Sequence, residues 1–490
     1  MSKIAPFILV TMLHGVVFAA TASTNGMEAV TQHVSANSLR GHVSFLSSDA
    51  LEGRATPSRG LDAAADYIAA QFRRAGLTPA GDDGYFQTAN WKYAERSAAD
   101  FVLTVDAGGK SITVPGAMVS YQYKAGHQFT STPVVRMDLA AAAAAPKTVE
   151  GKVLVIAMPA NGQAYGAEQQ LARAGAKPAA IILIDRARKS GNAGGKGWLV
   201  DPEATPVPKR PPAVAVHALD AIALLESGAD ARVSLTIPDG VERPVKLRNV
   251  IAVLPGSDPV LKDTYVILSA HYDHVGINNG EVFNGANDNA SGTASVIEVA
   301  NALAMLKQRP RRSVVFLTVW GEELGMLGSS YYGKHSVFPI AKTVANLNLE
   351  QMGRTDDKEG PQIDRAALTG FDFSSVGATL ARTGAAMGIK IFKHERFSDA
   401  FFDRSDNQAL AKHGIPAHTM SVAYEFADYH GKDDTWDKLD YDNMARITRM
   451  VAVGIHTLAN DTAAPTWNET NTRTAPYVSA ARQLSISKEK

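Results

Sequence analysis

Between Leu247 and about Asn460 the chain alternates short, strand-like runs rich in apolar residues with longer stretches whose apolar positions recur every three or four residues. Tyr265 to Ala270, Ser313 to Trp320, Ala345 to Leu349 and Ala417 to Val422 are of the first kind and predict buried strands. Ser291 to Leu306 is of the second kind. It places Val296, Val299, Ala300, Leu303 and Leu306 on one stripe, as an amphipathic helix packed on a sheet requires. Strand-like and helix-like segments in alternation predict an α/β fold, a mixed and largely parallel sheet flanked by helices.

Helical spacing also runs from Ser38 to about Gln87, through Leu39, Val43, Leu46 and Leu51 and then Ala64, Ile68, Phe72 and Leu77, with Gly76 as a stop. From about Ser120 to Asp239 the texture changes. Val153 to Ala157, Ala180 to Ile184 and Ala213 to Val216 are short apolar runs among Pro-, Gly- and Ala-rich segments, which predicts a β-rich insert over 120–240. At the amino end Lys3 precedes an apolar run from Ile4 to Ala20, with small residues at Ala20 and Ala22. That pattern predicts a secretory signal peptide over 1–22, and so a secreted or periplasmic protein. The expected division is therefore 1–22, an amino-terminal part of the main domain at 23–119, the insert, the main domain at 241–462, and a Thr-, Asn- and Ser-rich tail without a core at 463–490.

Composition narrows the classes. Lys+Arg and Asp+Glu both number 49, so the chain lacks the basic footprint of a nucleic-acid binder. Once a signal peptide is removed, no stretch is long and apolar enough to predict a membrane span. Cysteine is absent, which excludes disulfides and a lipid-modified cysteine.

The candidate chemistry lies just beyond the predicted strands. His271 and Asp273 follow the first, Glu322 and Glu323 the second, Glu350 the third, and the loop after the fourth carries Tyr429 and His430. Asp288 falls in a turn-prone stretch at the start of the predicted helix. Each has a plain reading by itself: Asp288 as a helix cap, Glu322-Glu323 as acids in a first helical turn, Glu350 as a solvated strand end, His430 as a loop histidine. Taken together, His271 and His430 with Asp288, Glu323 and Glu350 are two imidazoles and three carboxylates at the ends of elements in one block, the ligand types of a hydrolytic metal pair. Three carboxylates offset most of the charge on two divalent ions, and one of them can bridge. Asp273 is placed to accept the other ring N–H of His271. Adjacent acids point to different sides, so one of Glu322 and Glu323 is expected to ligate while the other serves as general base.

The segments His271-Tyr272-Asp273-His274, Gly285 to Gly292, Trp320 to Gly325, Asn346 to Gly353 and Tyr429-His430 resemble, in order, the M28 metallopeptidases, the co-catalytic zinc aminopeptidase family. The resemblance implies a zinc exopeptidase fold and two zinc ions per chain. One would sit on His271, Asp288 and Glu350 and the other on Asp288, Glu323 and His430, with Asp288 bridging. It further implies Glu322 as general base, Asp273 as the group orienting His271, and Tyr429 as an oxyanion stabiliser. Leu51-Glu52-Gly53-Arg54 looks like the amino-terminal part of secreted members, and the middle block is similar to an inserted protease-associated (PA) domain. Two positions depart from the family pattern. Glu350 stands where Asp is frequent, and Asn407 of Ser405-Asp406-Asn407 stands where many relatives carry His, which assigns that segment to the pocket wall.

The expectation is an exported aminopeptidase acting on peptides with a free amino terminus, without nucleic-acid partners and with its oligomeric state open. The competing readings are a carboxypeptidase or dipeptidase on the same scaffold, for which Arg354, Arg396 and Arg404 would receive the substrate carboxylate, a one-zinc glutaminyl cyclase, and a non-catalytic binding protein.

Overall fold

The computed structural model describes residues 21–121, 124–158, 164–191, 193, 197–205, 210–227 and 230–486. The expected signal peptide therefore lies outside the described residues as far as position 20. The chain forms two compact units, Met1–Ala89 with Leu247–Lys490, and Asn90–Lys246.

The first unit is built on a sheet whose strands include β1 (Val241–Leu254, paired through its second half), β2 (Tyr265–His271), β3 (Ser313–Val319), β4 (Thr343–Glu350), β5 (Arg365–Leu368), β6 (Lys390–Phe392) and β7 (Ala417–Ser421). Their order is β6-β5-β7-β4-β2-β3-β1. The four central strands, β3, β2, β4 and β7, run parallel, while β1 and β5 are antiparallel to their inner neighbours. Val266, Ile267 and Leu268 are fully buried, and so is nearly every residue of β3. Burial on both faces is why these strands read as largely apolar runs.

One face is covered by α3 (Gly292–Ala304), which packs on β2, β3 and β4. α1 (Ala36–Leu46), α2 (Arg59–Arg74) and α4 (Tyr441–Asn460) pack on α3 in turn. Hydroxyl caps begin two of these helices: Ser35 accepts from the Ser38 amide and Ser58 from that of Leu61. Enclosed in this way, α3 is buried all round and not along the single stripe its pattern predicts. Two of its polar side chains are bonded within this layer, Ser295 to the Ser291 carbonyl and Thr448, and Glu298 through Oε1 to His42 and Ser38.

On the other face Ile267, Val315 and Leu317 pack with Tyr332, Phe402 and Leu410, and here the expectation for 463–490 fails. Trp467, Tyr477 and Val478 belong to this core; Trp467 Nε1 donates to the Gly414 carbonyl at 2.8 Å, and Ala475–Ile486 is a helix, α5. A few widely spaced apolar residues suffice to dock a polar segment when a groove is waiting for them.

The second unit carries a sheet in the order Lys110–Val114, Val102–Ala107, Arg232–Ile237, His127–Arg136, Val153–Ala157, Ala180–Ile184, Ala213–Val216, Val119–Tyr121. It is antiparallel up to His127–Arg136 and then parallel as far as Ala213–Val216. It starts at Asn90 instead of 120, because the hairpin Val102–Val114 pairs with Arg232–Ile237 at the end of the insert. No helix among the described residues is long and apolar enough to cross a membrane.

Candidate metal centre

Because β3, β2, β4 and β7 are parallel, their carboxyl ends share one edge, and whatever follows each strand is delivered there. β2 ends on His271 and is followed by Asp273; β3 is followed by Glu322 and Glu323; β4 ends on Glu350; β7 leads into the loop of Tyr429 and His430. Asp288 enters from the turn that precedes α3.

All five expected ligands meet at this edge. Asp288 divides its carboxylate between two imidazoles: Oδ1 lies 3.4 Å from His271 Nε2 and Oδ2 lies 3.1 Å from His430 Nε2. His271 Nε2 is also 3.8 Å from Glu350 Oε1, and His430 Nε2 is 3.1 Å from Glu323 Oε2. The result is two donor groups joined through Asp288. Asp273, fully buried, has Oδ1 3.5 Å from His271 Nδ1, on the side of the ring away from Asp288. Tyr429 stacks on the His430 ring with centroids 4.1 Å apart and is half exposed.

A shell of polar residues fixes these groups, and much of it escapes sequence reasoning. Asp434 accepts from the backbone amides of Asn287 and Asp288 at 2.9 and 3.0 Å, which clamps the loop carrying Asp288. Asn287 Oδ1 accepts from the Gly353 and Arg354 amides, and Asn289 Nδ2 donates to the Leu349 carbonyl, tying that loop to the end of β4. Ser405 donates to Glu350, so Ser405-Asp406-Asn407 does touch the site. Asn407 itself is turned to structure: it donates to the Phe402 carbonyl and accepts from Thr419. His274, buried, puts Nδ1 2.8 Å from Glu323 Oε1, and its donor atoms cluster with those of Asp288 and Glu323 within 4.8 Å. A second histidine in the sequence His271-Tyr272-Asp273-His274 was the available signal for it. Asp434 carries no such signal, because an acid in a polar loop looks the same whether it caps amides or faces water.

Proton affinities follow from this crowding. Burial pulls the His271 imidazole down, but hydrogen bonds to Asp273 and Asp288 hold it well above its ordinary value. His430 is opposed by burial in the same way and is raised to about 10 by Asp288 and Glu323. Burial pushes Glu322 well above the carboxylate range, with Glu350, Asp406 and Glu323 adding to the rise. Glu350 is pushed up to about 7, again by burial first and then by Asp288. Acids packed this closely call for a cation. Two imidazole nitrogens and three carboxylates around a shared Asp288 fit a pair of divalent ions, and His271, Asp288, Glu350, Glu323 and His430 are the residues that could hold them.

The arginines considered for a substrate carboxylate are differently placed. Arg354 donates to Asp356 and Asp428 and is buried, and Arg396 lies 3.5 Å from Glu425. Arg404 is exposed beside the Phe401 ring.

Residues 249–455 match the model of peptidase family M28. Among curated relatives, a probable leucine aminopeptidase 2 of Aspergillus oryzae is 26% identical over 348 residues, 64% of each chain. A probable glutamate carboxypeptidase of Arabidopsis thaliana is 29% identical over 205 residues, 39% of this chain and 27% of its own. The chain thus spans between about a quarter and two thirds of the length of the first curated relatives it matches. Two solved structures share the fold: an aminopeptidase from an Aneurinibacillus species (TM-score 0.60, 20% identity, 90% of this chain and 97% of that one) and a zinc aminopeptidase from Bacillus subtilis (TM-score 0.55, 18% identity, 88% and 97%). The matched segment contains all five candidate ligands, so the likeness to peptidase family M28 covers the whole of the candidate centre.

Proposed function

We propose that the protein is an exported exopeptidase that holds two zinc ions and removes residues from the amino end of peptides. The observation that carries this reading is Asp288, whose two oxygens face two different histidines, each with its own further carboxylate. His271 and Glu350 would hold one ion and His430 and Glu323 the other. When bound, such a pair supplies Lewis acidity and makes water acidic enough to attack near neutral pH.

The chain's own groups account for the rest. Glu322, whose carboxyl binds protons unusually tightly, takes a proton from the attacking water and returns it to the departing amine as the C–N bond breaks. Asp273 fixes the His271 ring. Burial and the surrounding acids raise the Tyr429 hydroxyl, so it stays protonated and able to donate to the oxygen that gains charge. The acid-rich edge suits a substrate ammonium group, and Arg354, one of the candidate receptors for a carboxylate, is already paired with two acids. The leader-like run Ile4 to Ala20 supports export, and we read the unit Asn90–Lys246 as the inserted PA domain.

The carboxypeptidase reading keeps one observation in its favour: exposed Arg404 directly precedes Ser405, which bonds Glu350. A panel of free and amino-blocked peptides, assayed with metal content and with Glu322→Gln as control, separates the two. Cleavage confined to free amino ends supports the proposal; release of carboxyl-terminal residues from blocked peptides overturns it.

A further inference from the structure

Arg54 lies far outside the matched segment, yet it is completely buried beside the centre. Its Nε donates to the Tyr272 carbonyl at 2.8 Å, Nη1 to the Asn284 carbonyl at 2.7 Å and also to that of Leu46, and Nη2 to the Gly285 carbonyl at 2.9 Å. One guanidinium thus holds the bend between His271 and Asp273 and the entry of the loop that carries Asp288. Burial lowers it to about 10, against the pull of Asp273, Asp434, Asp288 and Glu323, so it is charged at neutral pH and offsets part of their repulsion.

The contacts continue from Arg54 to His274. The His274 amide donates to the Arg54 carbonyl at 3.2 Å. Gly285, at φ 58°, fits flush between the His274 ring and the backbone of Asp288: a Cβ there would sit 2.4 Å from His274 Cγ and 2.3 Å from the Asp288 carbonyl oxygen. His274 in turn bonds Glu323 Oε1, which leaves Oε2 toward His430. Holding one oxygen of a ligating carboxylate fixes the direction of the other.

We propose that Arg54 and His274 are positioning residues for the metal position served by Glu323 and His430, so that the segment 46–54 is part of the metal centre. This rests on the two-ion reading above. Holding Gly285 and His274 in register is a task for a planar, multiply donating cation, which lysine cannot reproduce. The other position, with His271 and Glu350, is steadied by Asp273 and Ser405 and does not depend on His274.

The test is calorimetric titration of zinc into chelator-stripped, full-length protein for wild type, His274→Gln and Arg54→Lys, with melting temperatures of the stripped proteins. Wild type takes up two ions. In His274→Gln one ion is expected at wild-type affinity and the other weakened about 10- to 100-fold, and in Arg54→Lys, which also loosens the bend after His271, the ion of Glu323 and His430 is expected to weaken by at least as much. Unchanged affinities at both positions, or both falling together with the melting temperature, overturn the proposal. Complete loss of one ion in His274→Gln makes His274 a ligand and likewise overturns its positioning role. Should Arg54→Lys fail to fold, His274→Gln decides. A wild type that binds fewer than two ions overturns instead the reading on which the proposal rests.

Discussion

The backbone amide of Glu322 donates to Asp273 Oδ1 at 3.1 Å. The same oxygen lies 3.5 Å from His271 Nδ1, and Thr56 donates to the other oxygen. One buried carboxylate therefore sets both the ring that would hold an ion and the turn that presents the proposed base. Replacement of either acid should then leave different signatures. Glu322→Gln is expected to lower kcat about 10²- to 10⁴-fold with metal content unchanged, because only proton transfer is lost. Asp273→Asn is expected to weaken zinc about 10- to 100-fold as well, since it disturbs His271 too. Turnover and metal analysis on the same preparations check both; a metal-replete Asp273→Asn with full turnover would sink the assignment.

Removal of the metal should destabilise the first unit, because its closely packed acids then repel without compensation. Ligands that bind only the folded state stabilise by mass action, about 4 kcal/mol for an ion at a thousand times its dissociation constant. Thermal melts with chelator and with added zinc should differ clearly in midpoint. Coincident melts would mean that the cluster holds no ion.

The parts of this molecule that were legible in the sequence are those written in local pattern. Largely apolar runs leading to His271, Glu323 and Glu350 disclose buried parallel strands and what they deliver, because burial on both faces leaves few polar residues inside them, Ser269 in β2, Ser313 and Thr318 in β3, and Asn346 and Asn348 in β4 among them. The shell was harder to read. Asp434 acts on amides 146 and 147 positions away in sequence, and Arg54 acts on the carbonyls of Tyr272, Asn284 and Gly285; backbone partners carry no side-chain signature. The carboxyl-terminal segment was misread for a related reason: Trp467, Tyr477 and Val478 are too sparse among polar neighbours to register as a core pattern, although each fills a place on a groove formed by Phe373, Phe402 and Leu410.

That segment gives a stability prediction. Trp467 is nearly buried, stacks on Tyr477 with centroids 5.1 Å apart and bonds Gly414. Trp467→Ala leaves a cavity and an unpaired carbonyl, and is expected to cost about 3 to 5 kcal/mol. Urea unfolding followed at the first unit would measure it. A loss below about 1 kcal/mol would return 463–490 to the status of a dispensable tail.

The buried pair of Glu298 and His42 yields a prediction in pH. Glu298 lies on α3, wholly buried, with Oε1 accepting from Ser38 at 2.8 Å and 3.1 Å from His42 Nε2. Burial alone would raise its pKa, but the bonds from His42 and Ser38 and the charges of His42 and His33 outweigh it, and the carboxyl is held below its usual range. A carboxylate depressed on folding adds stability that is complete above the unfolded pKa of about 4.3 and is lost as pH falls through the lower folded value. Glu298→Gln removes the charge while keeping the shape. It should therefore destabilise by about 3 kcal/mol at neutral pH, as breaking a buried pair does, and the gap to wild type should close as pH falls below the ordinary carboxylate range. Urea midpoints for both proteins from pH 7 down to about pH 3 supply the comparison. A gap of constant size would show that the hydrogen bonds, not the charge, join α1 to α3 at this point.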